Sequence, residues 1–487
     1  MDGRTVSRMP SFLSWRNFLT GLIVLGVGLR IVGLFTGAVP SDAATYGVMA
    51  KSYLEADEFV MPLGDWWSPN WSPEYSHHYS PAYPIYLAPF VAIGGLAPLA
   101  IKVAGFASSL LMVAVAFWTT RDLYGREKAI LVAAAVSVDP VLIATGSVGY
   151  SEDLLTVFFV LTIWAILKSL SDPRYIVLAG LFAGLAYLTK GIMGWFFLIA
   201  GIAGLAWRFH YIRWRVFKDR YYIAAILIFG AFVGAWAGRN LARFWDGSAV
   251  ELLTAWQSSG YFARATSEAA ADPLALAYVL ALRIPFYAGV FLFFGAYWIR
   301  ELRATPKISD EHYSGLWLAV GLTYFLAWLL SGILWIHERN PIFWIDQIRY
   351  VVMANVVILW LVVKDGRIQA AAFRKKYAAM VAVFLVTAVL LLAQPKPGAF
   401  SAYDLLRQTS DPGDIIAIDG LLRYEVLVNV GADRTYVEYV PNVTADYIIT
   451  RVLSASFAGF ALLGVGRTAN PILGVVPSFD AAVWVRA

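Results

Sequence analysis

The chain alternates long apolar runs with short polar segments. Apolar runs of about 18 residues or more are long enough to cross a bilayer core. Such runs recur from Phe18 to Ala393, and their order predicts eleven spans. These fall near 18–38, 98–120, 129–144, 154–170, a fifth ending at Tyr187–Lys190, a sixth returning to Trp207, then 221–238, 276–298, 316–334, 351–363 and 378–393.

Two segments break this rhythm. The first is a long loop over 39–95, rich in Trp, Tyr and acidic residues, with Lys51 as the basic residue of its acidic stretch. Its ends read as amphipathic helices over Ala43–Glu55 and Ala82–Val91. Neither is long enough to span, so both should lie in the interface, with Trp66, Trp67 and Trp71 at headgroup depth. The second begins after Ala393, where the pattern changes to a linker, a short helix, a turn at Asp411-Pro412-Gly413 and alternating strand-like segments at 435–440 and 447–450. Val452–Val465 is apolar but short for a span and is read as core or membrane-resting. The predicted fold is therefore an all-α polytopic membrane protein of about eleven transmembrane helices with a small C-terminal α/β domain on the outer face. Residues 1–393 form the membrane module, with the large first outside loop at 39–95, and 394–487 form the α/β domain.

Composition agrees with this pattern. Of 487 residues, 60% are hydrophobic and 15% charged. Soluble proteins carry about 25% charged residues. Mean hydropathy is +0.64. The net charge of +5 is not a nucleic-acid signal, because Lys and Arg concentrate in short loops such as 121–128, 208–220 and 364–376. By the positive-inside rule those loops are cytoplasmic. That places the N-terminus inside and the C-terminal domain outside, as in a multi-pass plasma-membrane protein. No cleavable leader pattern is expected at the first run. The chain holds no Cys, which excludes thiol catalysis, thiolate metal sites and disulfides.

With that topology, Asp42, Glu152 and Asp153 fall at outside span ends, and Lys190, Arg239 and Arg349 fall on the same side. A carboxylate can act as a general base, and a layer of cations can hold a phosphate. The combination suits transfer of a group from a lipid phosphate to an acceptor hydroxyl. Taken singly, each residue also fits a snorkelling or ion-paired side chain at a helix end. Asp42 also fits an N-cap of a helix starting at Ala43. His77, His78 and Glu74, with His337 and Glu338, raise the alternative of a divalent metal site. The favoured reading needs no metal and gives the His residues hydrogen bonds to donor or acceptor, or an interface role. A transporter or flippase for a lipid-linked substrate would also use intramembrane charges. The odd span count, the large first loop and the lack of an inverted repeat speak against it.

The motifs SDAATYGVMA at 41–50, HYSPAYPIYLA at 78–88, SED at 151–153, TKG at 189–191 and RN at 239–240 together resemble the GT-C membrane glycosyltransferases. The branch they resemble is glycosyltransferase family 39, which includes protein O-mannosyltransferases and lipid A aminoarabinose transferases. The resemblance covers the whole membrane part. It implies a polyprenyl-phosphate sugar donor, a glycan, lipid or protein acceptor, inverting transfer, and a site between the first outside loop and the membrane surface. It implies that Asp42 is the base, although Ala43 stands where many members have a second acid. Glu152 and Asp153 match the second acidic motif. Lys190, Arg239 and Arg349 are the implied phosphate ligands. Arg349-Tyr350 is similar to an Arg-Tyr pair before a late span, without the prolines that usually follow. His78 and Tyr79 complete the implied substrate contacts.

Overall fold

The computed structural model describes residues 15–36, 39–57, 59–61, 74–75, 80–190, 218–244, 266–303, 314–338, 349, 352–364, 368, 370–393, 398–418, 423–431, 433–439, 444–450, 457, 459–466, 469–470, 474–475 and 481–486. Helices dominate up to residue 393, and a five-stranded sheet follows. The first span is α1, Trp15–Thr36, whose mean hydropathy of 2.2 leaves it no stable place but a membrane. After it come α2 at Ser41–Ala56, α3 at Ala82–Gly94 and the long α4 at Pro98–Tyr124. Both loop helices thus form where the pattern places them, each a little longer than expected. Among the described residues, four helices are long and apolar enough to cross a membrane, or five if one bent pair counts as a single span. The predicted sixth span at 191–207 lies outside the described residues.

The bent pair corrects the third predicted span. It is two helices, α5 at Arg126–Ser137 and α6 at Pro140–Val148, inclined by 57°. Pro140 lacks the N–H that would continue the helix. Asp139 caps the new start by accepting from the backbone N–H groups of Val141 and Leu142. The other oxygen of Asp139 accepts from Asn355 Nδ2 at 2.8 Å. Arg30, the charge inside the first span, satisfies the other side of the break. Its guanidinium donates to the carbonyls of Ser137 and Val136, and its Nε donates to Ser109 Oγ at 2.8 Å. A cation at the last carbonyls of α5 and a carboxylate at the first amides of α6 both complement the helix dipoles. Gly26 permits the close crossing, since a Cβ there would sit on the carbonyl of Ser137.

The break re-aims the chain toward the next helix, α7 at Glu152–Lys168. Between them Gly149 adopts φ +82°, a left-handed conformation that glycine takes at little cost. Its carbonyl accepts from the Tyr83 hydroxyl of α3 at 2.7 Å. So the turn carrying Tyr150 and Ser151 is tied to the first loop. Helix α8, Tyr175–Thr189, packs against α7 and against α9, Arg220–Phe244. Later helices are α10 at Pro273–Arg303, α11 at Ser314–Glu338, α12 at Val352–Lys364 and α13 at Ala371–Leu392. One large core joins α1 and α4 to α13, with fully buried Trp360 of α12 donating to Thr120 Oγ1.

Strands β1 at Val60–Met61 and β2 at Glu74–Tyr75 pair within the first loop. The C-terminal part holds β3 at Ile415–Ile418, β4 at Thr435–Glu438, β5 at Tyr447–Thr450, β6 at Phe460–Gly466, the short pair β7 at Ala469–Asn470 and β8 at Gly474–Val475, and β9 at Ala481–Arg486. Its five-stranded sheet has the order β4-β3-β5-β9-β6. Strand β3 runs parallel to β4 and β5, while β9 is antiparallel to β5 and β6. The apolar stretch at 452–465 therefore supplies a sheet strand at its end, and 451–456 lies outside the described residues. Helices α14, Gly398–Thr409, and α15, Arg423–Val430, cover the sheet. Their apolar side does not stop at the sheet. Phe400, Tyr403, Leu406 and Val426 share one core with Val39, Ala43, Ala44 and Val48 of the α2 region. Asn429 of α15 also donates to the Val39 carbonyl at 3.2 Å. Helix α2 is thus held from above by the C-terminal layer and from below by α3 and α4.

Candidate active site

Helix α2 begins at Ser41, with Pro40 before it and no side-chain cap. Asp42 therefore sits inside the first turn and is not the N-cap. A carboxylate there is favoured by the helix dipole. Its Oδ2 accepts from Arg349 Nη2 at 2.8 Å and lies 3.7 Å from Lys190 Nζ. Helix α7 begins at Glu152, one turn-length from Gly149. Glu152 Oε1 accepts from Lys190 Nζ at 2.5 Å and lies 3.1 Å from Arg349 Nε. Lys190 follows directly on α8 in an extended conformation, φ −154°, which lets the chain leave the helix beside Glu152. Four side chains from four places in the sequence thus form one cluster of two carboxylates and two cations.

The two carboxylates differ in access. The Glu152 side chain is 1% exposed and that of Asp42 is 28% exposed. A buried carboxylate is held in the charged form only by close cations and hydrogen bonds. Glu152 has both cations within reach. Asp42 faces the same cations but also opens to the outside of the cluster, where a second reactant could approach. Beside them, Glu152 Oε2 is buried and has no hydrogen-bond partner among the described residues. Such a buried acceptor is suited to a polar guest.

Two aromatic residues shape the cluster and escaped the sequence reading as site residues. The Arg349 guanidinium lies over the Tyr150 ring, 4.3 Å from its centroid, a cation–π contact that orients its flat fork. Tyr46 lies one helical turn after Asp42, on the same face of α2. It is buried, and its ring meets Tyr83 edge-on at 5.1 Å. The i, i+4 spacing from Asp42 was the available signal for Tyr46. Burial pushes the Tyr46 phenol up to about 12, opposed by Lys190 and by a hydrogen bond with the Ser151 side chain and aided by Asp42. It therefore keeps its proton throughout the neutral range. Folding disfavours its ionisation, so its contribution to stability falls as pH rises above its usual value of 10.0. We expect Tyr46→Phe to slow turnover about tenfold through one lost hydrogen bond near charge. The shape of the neutral pH–rate profile should stay unchanged. A lost limb in that profile would assign Tyr46 a proton-transfer role instead.

The other expected residues separate. Asp153 follows Glu152 but turns inward, accepting from Thr145 Oγ1 of α6, and so serves the helix break. Arg239 does not join the cluster. Its Nη2 donates to the Phe59 carbonyl at 3.1 Å, and its guanidinium stacks on Trp236 at 4.8 Å. It lines a cleft of about 590 Å³ with Asp57, Phe59, Ile85, Leu188 and Trp236. Asp57 and Asp42 stand at opposite ends of α2, about 22 Å apart by helical rise. His78, Tyr79 and Tyr350 lie outside the described residues, as do His77 and the side chains of Glu74, His337 and Glu338. No group of three or more potential metal ligands occurs among the described residues. Among the described residues, Lys190 and Arg349 each pair with both Asp42 and Glu152.

Residues 78–236 match the family described as dolichyl-phosphate-mannose-protein mannosyltransferase. That segment contains Glu152 and Lys190 but neither Asp42 nor Arg349. No curated protein sequence matches the chain. The fold is similar to the oligosaccharyltransferase of Archaeoglobus fulgidus in a complex with Zn and sulfate, at TM-score 0.56 and 13% identity, covering 88% of this chain and 67% of that one. The oligosaccharyltransferase AglB from Archaeoglobus fulgidus, in complex with an inhibitory peptide and a dolichol-phosphate, aligns at TM-score 0.51 and 13% identity over 90% of this chain and 70% of that one. ArnT from Cupriavidus metallidurans bound to undecaprenyl phosphate aligns at TM-score 0.45 and 14% identity over 86% of each chain. Over residues 78–236 the chain is thus similar in sequence to the dolichyl-phosphate-mannose-protein mannosyltransferases, and the fold of this multi-pass membrane protein is similar to that of the archaeal oligosaccharyltransferase.

Proposed function

We propose that the chain transfers a sugar from a polyprenyl-phosphate donor to an acceptor hydroxyl at the outer membrane face, in a single inverting step. The observation that carries this reading is the cluster itself: two cations between a buried and a partly open carboxylate. Asp42 is the general base. It takes the acceptor proton as the acceptor oxygen attacks the anomeric carbon. The leaving group is a lipid phosphate, which needs stabilisation of charge more than a proton. Lys190 and Arg349 supply it. Both already stand beside Asp42, and charge-assisted bonds from such cations are strong where water is scarce. One inverting displacement needs one base, unlike hydrolases that flank the bond with two carboxyl groups. The AglB structure with a dolichol-phosphate lends support in that a protein of similar fold accepts a polyprenyl lipid. Arg239 and its apolar cleft suit the lipid portion of such a donor.

The test is to incubate purified protein with a panel of polyprenyl-phosphate sugars and candidate acceptors. Acceptor-dependent release of polyprenyl phosphate is the expected result. Lipid movement without that release would favour a transporter. The same reading places the N-terminus in the cytoplasm and the C-terminal sheet outside. Because the chain has no Cys, single introduced cysteines report topology cleanly. In intact cells an impermeant thiol reagent should label a cysteine at Gln408 and not one at Lys218. Labelling at 218 would overturn the orientation.

A further inference from the structure

The cluster has a charge problem that the proposed reaction must solve. Its two cations each touch both carboxylates. Arg349 reaches Asp42 at 2.8 Å and Glu152 at 3.1 Å, and Lys190 reaches Glu152 at 2.5 Å and Asp42 at 3.7 Å. Among the described residues, two positive charges thus meet two negative ones. A polyprenyl-phosphate sugar brings one more negative charge on its phosphodiester. Glu152 cannot give up its cations, because at 1% exposure an uncompensated carboxylate would be very costly there. Asp42, at 28% exposure, can turn to water. Of the two carboxylates, Asp42 is the exchangeable partner and Glu152 the fixed anchor on which the cations pivot.

Now follow the transfer described above, on which this inference rests. The acceptor oxygen forms its bond to the anomeric carbon. The bond from that carbon to the phosphate oxygen breaks, and its electron pair stays on the phosphate. The acceptor proton moves to Asp42. The phosphodiester, with one negative charge, becomes a phosphomonoester with two, and Asp42 goes from negative to neutral. The total is conserved, so the net event is the passage of one negative charge from Asp42 to the lipid phosphate. The cations released by Asp42 are the ones able to receive that charge.

We propose that Asp42 and the lipid phosphate compete for Lys190 and Arg349, so that Asp42 controls product release as well as deprotonating the acceptor. While Asp42 is neutral, both cations hold the polyprenyl phosphate. When Asp42 loses its proton to solvent it reclaims them, and the product is displaced. The groups facing Asp42 fit this account. Lys190 comes from the end of α8 and Arg349 from the segment before α12, Glu152 of α7 shares both cations, and Tyr46 of α2 itself stays protonated. From the C-terminal layer, α15 packs on α2 and carries Glu425, which accepts from the Tyr403 hydroxyl at 2.9 Å.

The experiment measures equilibrium binding of undecaprenyl phosphate, with no sugar attached, to the purified full chain in detergent. Asp42→Asn imitates the neutral state and should bind the lipid about fivefold more tightly than the unaltered protein, the upper size of one partly screened charge pair. Asp42→Glu restores the competitor and should return affinity toward the original value. Asp42→Ser is a second neutral variant for the case that Asn disturbs folding, and it should also tighten binding. Equal or weaker binding by the folded neutral variants overturns the proposal. Turnover is read separately: normal transfer by Asp42→Asn would sink the base assignment, whereas unchanged lipid affinity with lost transfer sinks only the competition.

Discussion

Asp42→Asn should give a folded protein whose sugar transfer is slowed by about 10²–10⁴-fold, the usual worth of a positioned general base. The variant keeps the size of the side chain and one oxygen that can accept from Arg349. Its helix start should not suffer, because α2 begins at Ser41 without any side-chain cap. An N-cap role would have predicted a nearly silent change, since Asn caps about as well as Asp. The fold offers few substitutes for the base. Asp153 is bonded to Thr145, and Glu152 is sealed beneath the cations. The check is initial-rate transfer at saturating donor, with thermal unfolding as the control for folding. Near-normal turnover would pass the role to Glu152, the remaining carboxylate of the cluster.

Arg349→Ala should have the second-largest effect, on donor affinity. Arg349 is the one side chain that bonds Asp42, sits within reach of Glu152 and stacks on Tyr150. Truncating one partner of a buried, hydrogen-bonded charge pair costs about 2–5 kcal/mol, which is ~30-fold or more in binding. We therefore expect the donor dissociation constant to rise at least ~30-fold, with acceptor affinity little changed. Arg349→Lys should recover only part of this, because an ammonium cannot fork between two carboxylates or lie flat on a ring. Titration with a polyprenyl-phosphate sugar, in the absence of acceptor, separates the two affinities. Unchanged donor affinity in Arg349→Ala would remove it from the phosphate site. The opposite signs expected for Arg349→Ala and Asp42→Asn toward the lipid phosphate make the pair a stringent test of the cluster.

The site was partly legible from the chain. The span ends collected Asp42, Glu152 and Lys190 on one side, and these three do meet. The reading could not tell that Arg349 would join them while Arg239 would not. Arg349 reaches Asp42 across 307 positions of sequence, so no local pattern links them. Arg239 was grouped with it by side of the membrane and by the RN motif, and the packing of α9 against α8 carries it to the cleft at the other end of α2. Nor could adjacency separate Glu152 from Asp153. Successive residues on a helix point about 100° apart, so one meets the cations while its neighbour meets Thr145.

What the sequence determined by itself is what short-range physics controls. Runs of apolar residues demanded membrane helices, two short amphipathic stretches became α2 and α3, and the change of pattern after Ala393 led to a small sheet. What tertiary structure decided is how charges inside an apolar protein find partners. Arg30 could be read only as an odd charge within a span; packing turned it into the clamp of the α5–α6 break that aims Glu152 at the site. The C-terminal layer could be read only as a separate unit; its helices instead complete the core that holds α2 and Asp42 in place. The physical reason is common to both. Burial makes an unpaired charge or an uncovered apolar face costly, and which distant group relieves that cost depends on the whole packed chain.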